Sequence, residues 1–195
     1  MPDQSTLLGV ILAGGMSRRM GGNDKFLETL DEDTIFNHII SRFSSQVEKL
    51  VINHNKSKQW EDIEVVSDII LGAGPLGGIH AVLNYAKEKG FDRIVTVPCD
   101  TPFIPMDYVS RLFECDKPLV IASSRNRIHP VLALWHISLL DKVANALEKG
   151  DLKLMNLIKG LDHEVVNWED APDPFFNINT PEDLLHAKEV VLKDQ

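Results

Sequence analysis

Residues 7–25 read LLGVILAGGMSRRMGGNDK. The apolar run Leu7–Leu12 is long enough for one buried strand. It breaks at Ala13-Gly14-Gly15, where a strand would not continue, and a second glycine pair follows at Gly21-Gly22. Glycines here allow backbone to approach a ligand without Cβ interference. Successive N–H groups of such a loop can point at phosphate oxygens. Arg18, Arg19 and Lys25 add positive charge, with only Asp24 as a local counter-charge. A solvated surface turn would explain one glycine pair. It does not explain a strand, two glycine pairs and three cations in this order. Two commoner phosphate loops are excluded by spacing. A Walker A loop needs Gly-Lys-Ser/Thr at its end, but Lys25 lies between Asp24 and Phe26. The dinucleotide pattern G-x-G-x-x-G is also absent.

The 195-residue chain fits a single domain over 1–195, with a core that needs no staples. Its 44% apolar and 25% charged residues are those of an ordinary globule. A net charge of −9 argues against nucleic acid or an anionic membrane as the main partner. Cys99 and Cys115 are too few for a disulfide framework and lack metal spacing, which suits a reducing cytoplasm. The first apolar run is preceded by Asp3 and no Lys or Arg, so it reads as a strand and not as a signal segment. No run approaches transmembrane length.

Further along, apolar runs alternate with amphipathic stretches. Thr34 is placed to cap a helix with Ile35, Phe36, Ile39, Ile40 and Phe43 on one face. Strands are expected at 50–52, 64–66, 93–97, 119–122, 131–135 and 164–168. Helices are expected at 79–89, 106–113, 137–148, 152–159 and from Thr180-Pro181-Glu182-Asp183 to about 192. The glycine-rich stretch 72–78 is expected as a loop ahead of its helix. This alternation predicts an α/β fold: a three-layer, Rossmann-like, mostly parallel sheet covered on both faces. Ligands in such sheets bind at the carboxyl ends of strands. The glycine loop, Asn53, Asp68 and Asp100 all fall at such ends.

Each of these residues has a chemical use. Asp100, in Pro98-Cys99-Asp100-Thr101-Pro102, suits Mg²⁺, which takes one or two carboxylates plus substrate phosphates. Lys25 suits a triphosphate as a point charge. The Gly74–Gly78 backbone suits a wall against base and ribose. Asp68 would accept both N1–H and the exocyclic N–H of guanine, a donor pair that adenine lacks. His129 is a candidate for lining an acceptor pocket. Cys99 reads as a small buried filler, with no His partner to make it a nucleophile. Asn177 and Asn179 alternate on a strand-like run that turns Ile178 to the core.

Several segments together resemble the molybdenum cofactor guanylyltransferases: LAGGMSRRMGGNDK at 12–25, VIN at 51–53, GPLGGI at 74–79, PCDTPFIP at 98–105, RIHPV at 127–131 and FFNINTPEDL at 175–184. The first is shared across nucleotidyltransferases; the last two are more specific. The resemblance implies the nucleotide-diphospho-sugar transferase type of fold. It also implies joining of GTP and molybdopterin into a guanine dinucleotide cofactor, with loss of pyrophosphate and with Mg²⁺. Leu12, Ala13, Gly14, Gly15, Lys25, Asn53, Asp68, Gly74, Gly78 and Asp100 then fall to GTP, with Asp100 also on Mg²⁺. Arg19, Gly22, Asn177 and Asn179 fall to the pterin, and Lys25, Asp100 and Arg19 to catalysis. On this reading the pterin and GTP sites are separable. Transient contacts with molybdenum-insertion and acceptor enzymes are implied as well. The chain departs from the family at Gly150-Asp151-Leu152-Lys153, where consecutive basic residues are usual. Rival readings are a nucleotidyltransferase using CTP or loading a sugar phosphate, and a non-catalytic nucleotide or pterin carrier.

Overall fold

Every residue of the first strand, β1 (Leu7–Leu12), is buried, as a central strand covered on both faces requires. A computed structural model describes residues 6–14, 27–55, 60 and 63–191. In β1, Leu8, Val10 and Leu12 face one core, while Leu7 and Ile11 face the other. A Cβ on Gly9 would lie 2.7 Å from Val47 Cγ2, so the second face admits no larger residue there without displacing Val47.

The other strands are β2 (Thr29–Leu30), β3 (Asp33–Thr34), β4 (Lys49–Asn53), β5 (Glu64–Val66), β6 (Arg93–Pro98), β7 (Leu119–Ser124), β8 (Arg127–His136) and β9 (His163–Trp168). β2 and β3 form a small separate ribbon that the sequence reading did not anticipate. Among the described residues the main sheet has seven strands in the order β5-β4-β1-β6-β8-β7-β9. Only β8 runs against the rest. The mostly parallel, three-layer α/β architecture therefore stands.

Helices α1 (Ile35–Phe43), α3 (Tyr108–Phe113) and α6 (Pro181–Val191) contribute to one core, around Phe43, Tyr108, Trp168 and Phe175. Helices α2 (Pro75–Lys89), α4 (Leu140–Glu148) and α5 (Leu154–Lys159) contribute to the other, with Trp135 from the sheet. Thr34 caps α1: its hydroxyl accepts from Asn37 N at 3.1 Å. Thr180 caps α6 reciprocally. Asp183 N donates to Thr180 Oγ1 at 3.1 Å, and the Asp183 carboxylate accepts from Thr180 N at 2.8 Å. Among the described residues no helix is long and apolar enough to cross a membrane.

Helices α3 and α5 begin two residues later than expected, and three departures are larger. The helix expected from Ile79 begins at Pro75, so Gly77 and Gly78 lie in its first turn and not in a loop. Pro at the first helical position needs no N–H, which lets the helix start there. The strand expected at 131–135 begins at Arg127, because the two-residue turn Arg125-Asn126 folds β8 back onto β7. Both turn residues have positive φ, 48° and 61°, as this tight hairpin demands. The strand-like reading of 177–179 also fails. The segment is irregular, because its backbone bonds go elsewhere: Ile178 N to Asp100 O at 2.9 Å, and Asn179 N to Asp183 Oδ2 at 2.8 Å. Ile178 is nevertheless buried, as expected.

Candidate active site

Four strand ends meet at one edge of the sheet. Ala13 N donates to Asn53 O at 2.9 Å, and Cys99 N donates to Leu12 O at 3.2 Å. The chain leaving β1 thus runs between the ends of β4 and β6. Asn53 closes β4 and is 2% exposed. Its Nδ2 donates to Val66 O at 3.0 Å and to Asp68 Oδ1 at 2.8 Å, which uses both of its protons. Asn55 reaches the same carboxylate: its Nδ2 donates to Asp68 Oδ2 at 2.8 Å, and its Oδ1 accepts from Asp68 N at 2.8 Å. Asp68 is half-buried.

The glycines around this cluster are set by it. A Cβ on Gly14 would lie 3.3 Å from Asn53 Oδ1, 3.8 Å from Asn55 Nδ2 and 3.9 Å from Asp68 Oδ2. A Cβ on Gly78 would collide with Asn53 Oδ1. Gly74 sits at φ 60°, ψ −151°, a region that essentially only glycine occupies. It starts α2 with no side-chain cap, so the first N–H groups of that helix are left to other partners. Asp68 lies near this positive helix end, since a Cβ on Gly77 would be 3.7 Å from Asp68 Oδ2. Between Asp68 and Gly72 the chain exposes Ile69, Ile70 and Leu71.

Asp100 follows β6, in the turn where the sequence places it. Asn177 Nδ2 donates to Asp100 Oδ1 at 3.2 Å, and Thr101 Oγ1 donates to Asn177 Oδ1 at 3.4 Å. A residue assigned to the pterin by resemblance therefore touches one assigned to GTP and Mg²⁺. Asn179 is exposed. Among the described residues no three His, Cys, Asp or Glu side chains gather as a metal site. A single carboxylate with amide and hydroxyl neighbours still fits Mg²⁺, which keeps several waters and takes substrate phosphate oxygens. It does not fit a tetrahedral zinc site, which needs nitrogen or sulfur ligands.

His129 lies in β8 beside a network that the sequence did not reveal. Ser124 Oγ donates to Asp173 Oδ1 at 2.7 Å and lies 2.8 Å from His129 Nε2. Because the hydroxyl proton goes to the carboxylate, His129 donates through Nε2 and keeps Nδ1 as an acceptor. Burial lowers the His129 pKa, the Asp173 charge opposes that, and Arg127 adds to it. Its ring packs edge-on against Phe175 at 5.2 Å. Phe175 N in turn donates to Asp173 Oδ1 at 3.0 Å.

Gly15, Arg18, Arg19, Gly22 and Lys25 lie outside the described residues. The weak segment at 150–153 is exposed; Gly150 takes φ 72°, and Asp151 accepts from Asn156 Nδ2 at 3.0 Å. Asn55, Ser124 and Asp173 were missed by sequence reasoning. The Asn53-His54-Asn55 alternation is a usable signal for the first, since period two returns both amides to one side. Nothing in the sequence joins Ser124 to Asp173, 49 positions apart.

Known proteins resemble this chain over most of its length. The curated molybdenum cofactor guanylyltransferase of Yersinia pestis is 43% identical over 186 residues, which is 92% of this chain and 94% of the relative. That of Yersinia pseudotuberculosis serotype O:3 is 42% identical over the same shares. The crystal structure of molybdopterin-guanine dinucleotide biosynthesis protein A from Archaeoglobus fulgidus superposes with a TM-score of 0.79 at 25% identity, over 96% of this chain and 100% of that one. The 2-C-methyl-D-erythritol 4-phosphate cytidylyltransferase of Thermus thermophilus shares the fold at 14% identity, with a TM-score of 0.71 over 94% and 98% of the two chains. The model of the MobA-like NTP transferase domain matches residues 9–165, and the chain belongs to that family.

Proposed function

We infer that this chain transfers GMP from GTP to the phosphate of molybdopterin, forming the guanine dinucleotide cofactor and releasing pyrophosphate. The observation that carries the reading is the meeting of two unlike sites at one sheet edge. One is the Asn53–Asn55–Asp68 cluster facing Gly14; the other is Asp100 paired with Asn177. The first suits a base with paired donors and the second a metal-bound polyphosphate. The 43% identity to a guanylyltransferase supports GTP as the donor.

Asp100 would hold Mg²⁺. When bound, that ion supplies charge neutralisation to the phosphates. The acceptor's phosphate oxygen forms a bond to the α-phosphorus as the bond to the β-phosphate oxygen breaks, and pyrophosphate leaves with that electron pair. No covalent enzyme intermediate is needed, so this chain contributes positioning and charge. Leu12, Ala13, Gly14, Asn53, Asp68, Gly74 and Gly78 would frame the nucleotide, and Lys25 and Gly15 the triphosphate. Arg19, Gly22, Asn177 and Asn179 would hold the pterin. The enzyme would act in the cytoplasm and pass its product on through transient contacts with molybdenum-insertion and acceptor enzymes.

The test is reconstitution with GTP, Mg²⁺ and molybdopterin, with the product identified by mass. A guanine dinucleotide and equimolar pyrophosphate are expected. Turnover with CTP and none with GTP overturns the donor assignment. Binding of both ligands with no pyrophosphate release under any nucleotide makes the chain a carrier.

A further inference from the structure

We propose that Asn55 is a specificity-determining positioning residue: it clamps the Asp68 carboxylate so that one acceptor edge stays open for a guanine base. The proposal rests on the base-reading role given to Asp68 above.

Asn55 grips Asp68 at two points. Its Nδ2 donates to the carboxylate Oδ2 and its Oδ1 accepts from the Asp68 backbone N, both at 2.8 Å. Asn53 Nδ2 takes the other oxygen, Oδ1, at 2.8 Å. A carboxylate offers about four acceptor positions. Among the described residues, two are filled, one on each oxygen. What remains is one position on each oxygen, two acceptors on one oriented carboxylate. Guanine presents N1–H and its 2-amino group as adjacent donors that match such an edge. Adenine and cytosine each present a ring acceptor there, which a carboxylate repels.

Two further features separate this clamp from ordinary loop packing. The loops carrying Asn55 and Asp68 are already tied without Asn55. His54 N donates to Val66 O at 3.1 Å, and Ser67 Oγ donates to His54 O at 3.1 Å. What Asn55 adds is the orientation of the carboxylate. Both clamping groups are also neutral amides, and among the described residues no Lys or Arg forms an ion pair with Asp68. Its negative charge is therefore left for a ligand. Gly14 and Gly77 leave the space beside Oδ2 free of side chain.

The test compares GTP with ITP, which keeps N1–H and lacks the 2-amino group. Both affinities are measured by calorimetry with Mg²⁺ on the wild-type chain, Asn55→Ala, Asn55→Asp and Asp68→Asn. Asn55→Asp keeps an acceptor for Asp68 N but replaces the donor to Oδ2 by a second carboxylate, so it breaks the carboxylate arm and adds like-charge repulsion, whereas Asn55→Ala removes both arms without added charge. The expected result is that both Asn55 variants lower the GTP-to-ITP affinity ratio by about fivefold or more, the effect of releasing a charge-assisted hydrogen bond. The melting temperature of Asn55→Ala should stay near the wild-type value, because Asn55 is exposed and the two loops are tied without it. If GTP and ITP weaken in parallel, Asn55 only holds the loop and the proposal falls. If the ratio collapses in Asp68→Asn but is unchanged in both Asn55 variants, base reading survives and the clamp does not. If Asp68→Asn also leaves the ratio unchanged, the base-reading premise fails and takes the clamp with it.

Discussion

Two carboxylates at the same edge of the sheet are held in opposite ways. Asp68, beyond β5, has each oxygen on one neutral side-chain amide and glycine space beside it. Asp173, beyond β9, has Oδ1 taken by both Ser124 Oγ and Phe175 N, and Arg125 Nε stands 4.0 Å from Oδ2. Its side chain is only 18% exposed. The first carboxylate is oriented but under-used; the second is spent on fastening the segment 173–179 across the ends of β7 and β8. That segment continues to Asn177, which donates to Asp100. One flank of the edge therefore offers acceptors to a ligand. The other uses its polar groups to fasten a strap to the Asp100 turn.

The largest test of this division is at the point where the flanks meet. Asp100→Asn keeps the shape and an acceptor for Asn177 but loses the charge. Transition-state stabilisation should fall by about 2–4 kcal/mol, the range for losing one preorganised electrostatic group. Pyrophosphate release measured across Mg²⁺ concentrations should show partial recovery at high metal. Normal turnover at low Mg²⁺ would remove Asp100 from the metal and leave it a turn residue.

Gly78→Ala probes the Asp68 flank alone. The new Cβ would strike Asn53 Oδ1, the residue that fixes Asp68 Oδ1. Overpacking of this kind costs about 1–3 kcal/mol. The melting temperature and GTP affinity should both fall, while molybdopterin affinity stays near wild type. An equal loss of both ligands would show that the flanks are not separable at this position.

The grouping of Gly14, Asn53 and Asp68 was largely legible in the sequence, and the strap was not, for a physical reason. Parallel strands deliver their carboxyl ends to one edge, so reading β1, β4, β5 and β6 in order already groups Gly14, Asn53, Asp68 and Asp100. Local signals sufficed: an apolar run, then a glycine or a short polar side chain. Gly77 and Gly78 were misplaced into a loop because a glycine pair looks like a turn until the missing side chains are seen to be filled, that of Gly78 by Asn53 and that of Gly77 by Ile70 O and Ala73. The strap depends on pairs such as Ser124 with Asp173 and Asn177 with Asp100, which lie 49 and 77 positions apart. No periodicity encodes such partners. Alternation suggested that Asn177 and Asn179 share a face, but the backbone gives its hydrogen bonds to Asp100 and Asp183 and never forms a strand there.

That difference changes what the asparagines are expected to do. From sequence, replacing Asn177 and Asn179 together would spare GTP. With Asn177 on Asp100, Asn177→Ala alone should weaken Mg²⁺-dependent GTP binding and molybdopterin binding together, each by about 1 kcal/mol or near fivefold. Calorimetry on the same variant with each ligand decides it. A GTP affinity that stays within about twofold of wild type would mean that Asp100 is held well enough by its own turn, and would restore the separation of the two sites.

The smallest expected effect is on stability, and it belongs to the strap. Burial lowers the His129 pKa below its ordinary value of 6.5, so the folded chain favours the neutral ring more than the unfolded chain does. The sign follows from proton uptake. Below 6.5 the unfolded state binds the proton first, so stability present at neutral pH is lost as pH falls toward the lowered folded value. The groups facing the ring are Ser124 and Asp173 from β7 and the strap, Phe175 from the strap, and Arg127 on its own strand. Asp173 favours the charged ring and Arg127 opposes it, which keeps the net shift downward with burial in the lead. His80 and His136 are lowered by burial too, so the acid slope of the whole protein is not a measure of His129. The difference between wild type and His129→Gln is. Melting temperatures taken from pH 7.5 down to about 5.5, across the ordinary histidine range, should fall more steeply in wild type than in His129→Gln. Parallel curves would mean that protonating His129 leaves the Ser124–Asp173 fastening intact, and that the strap holds without the neutral ring.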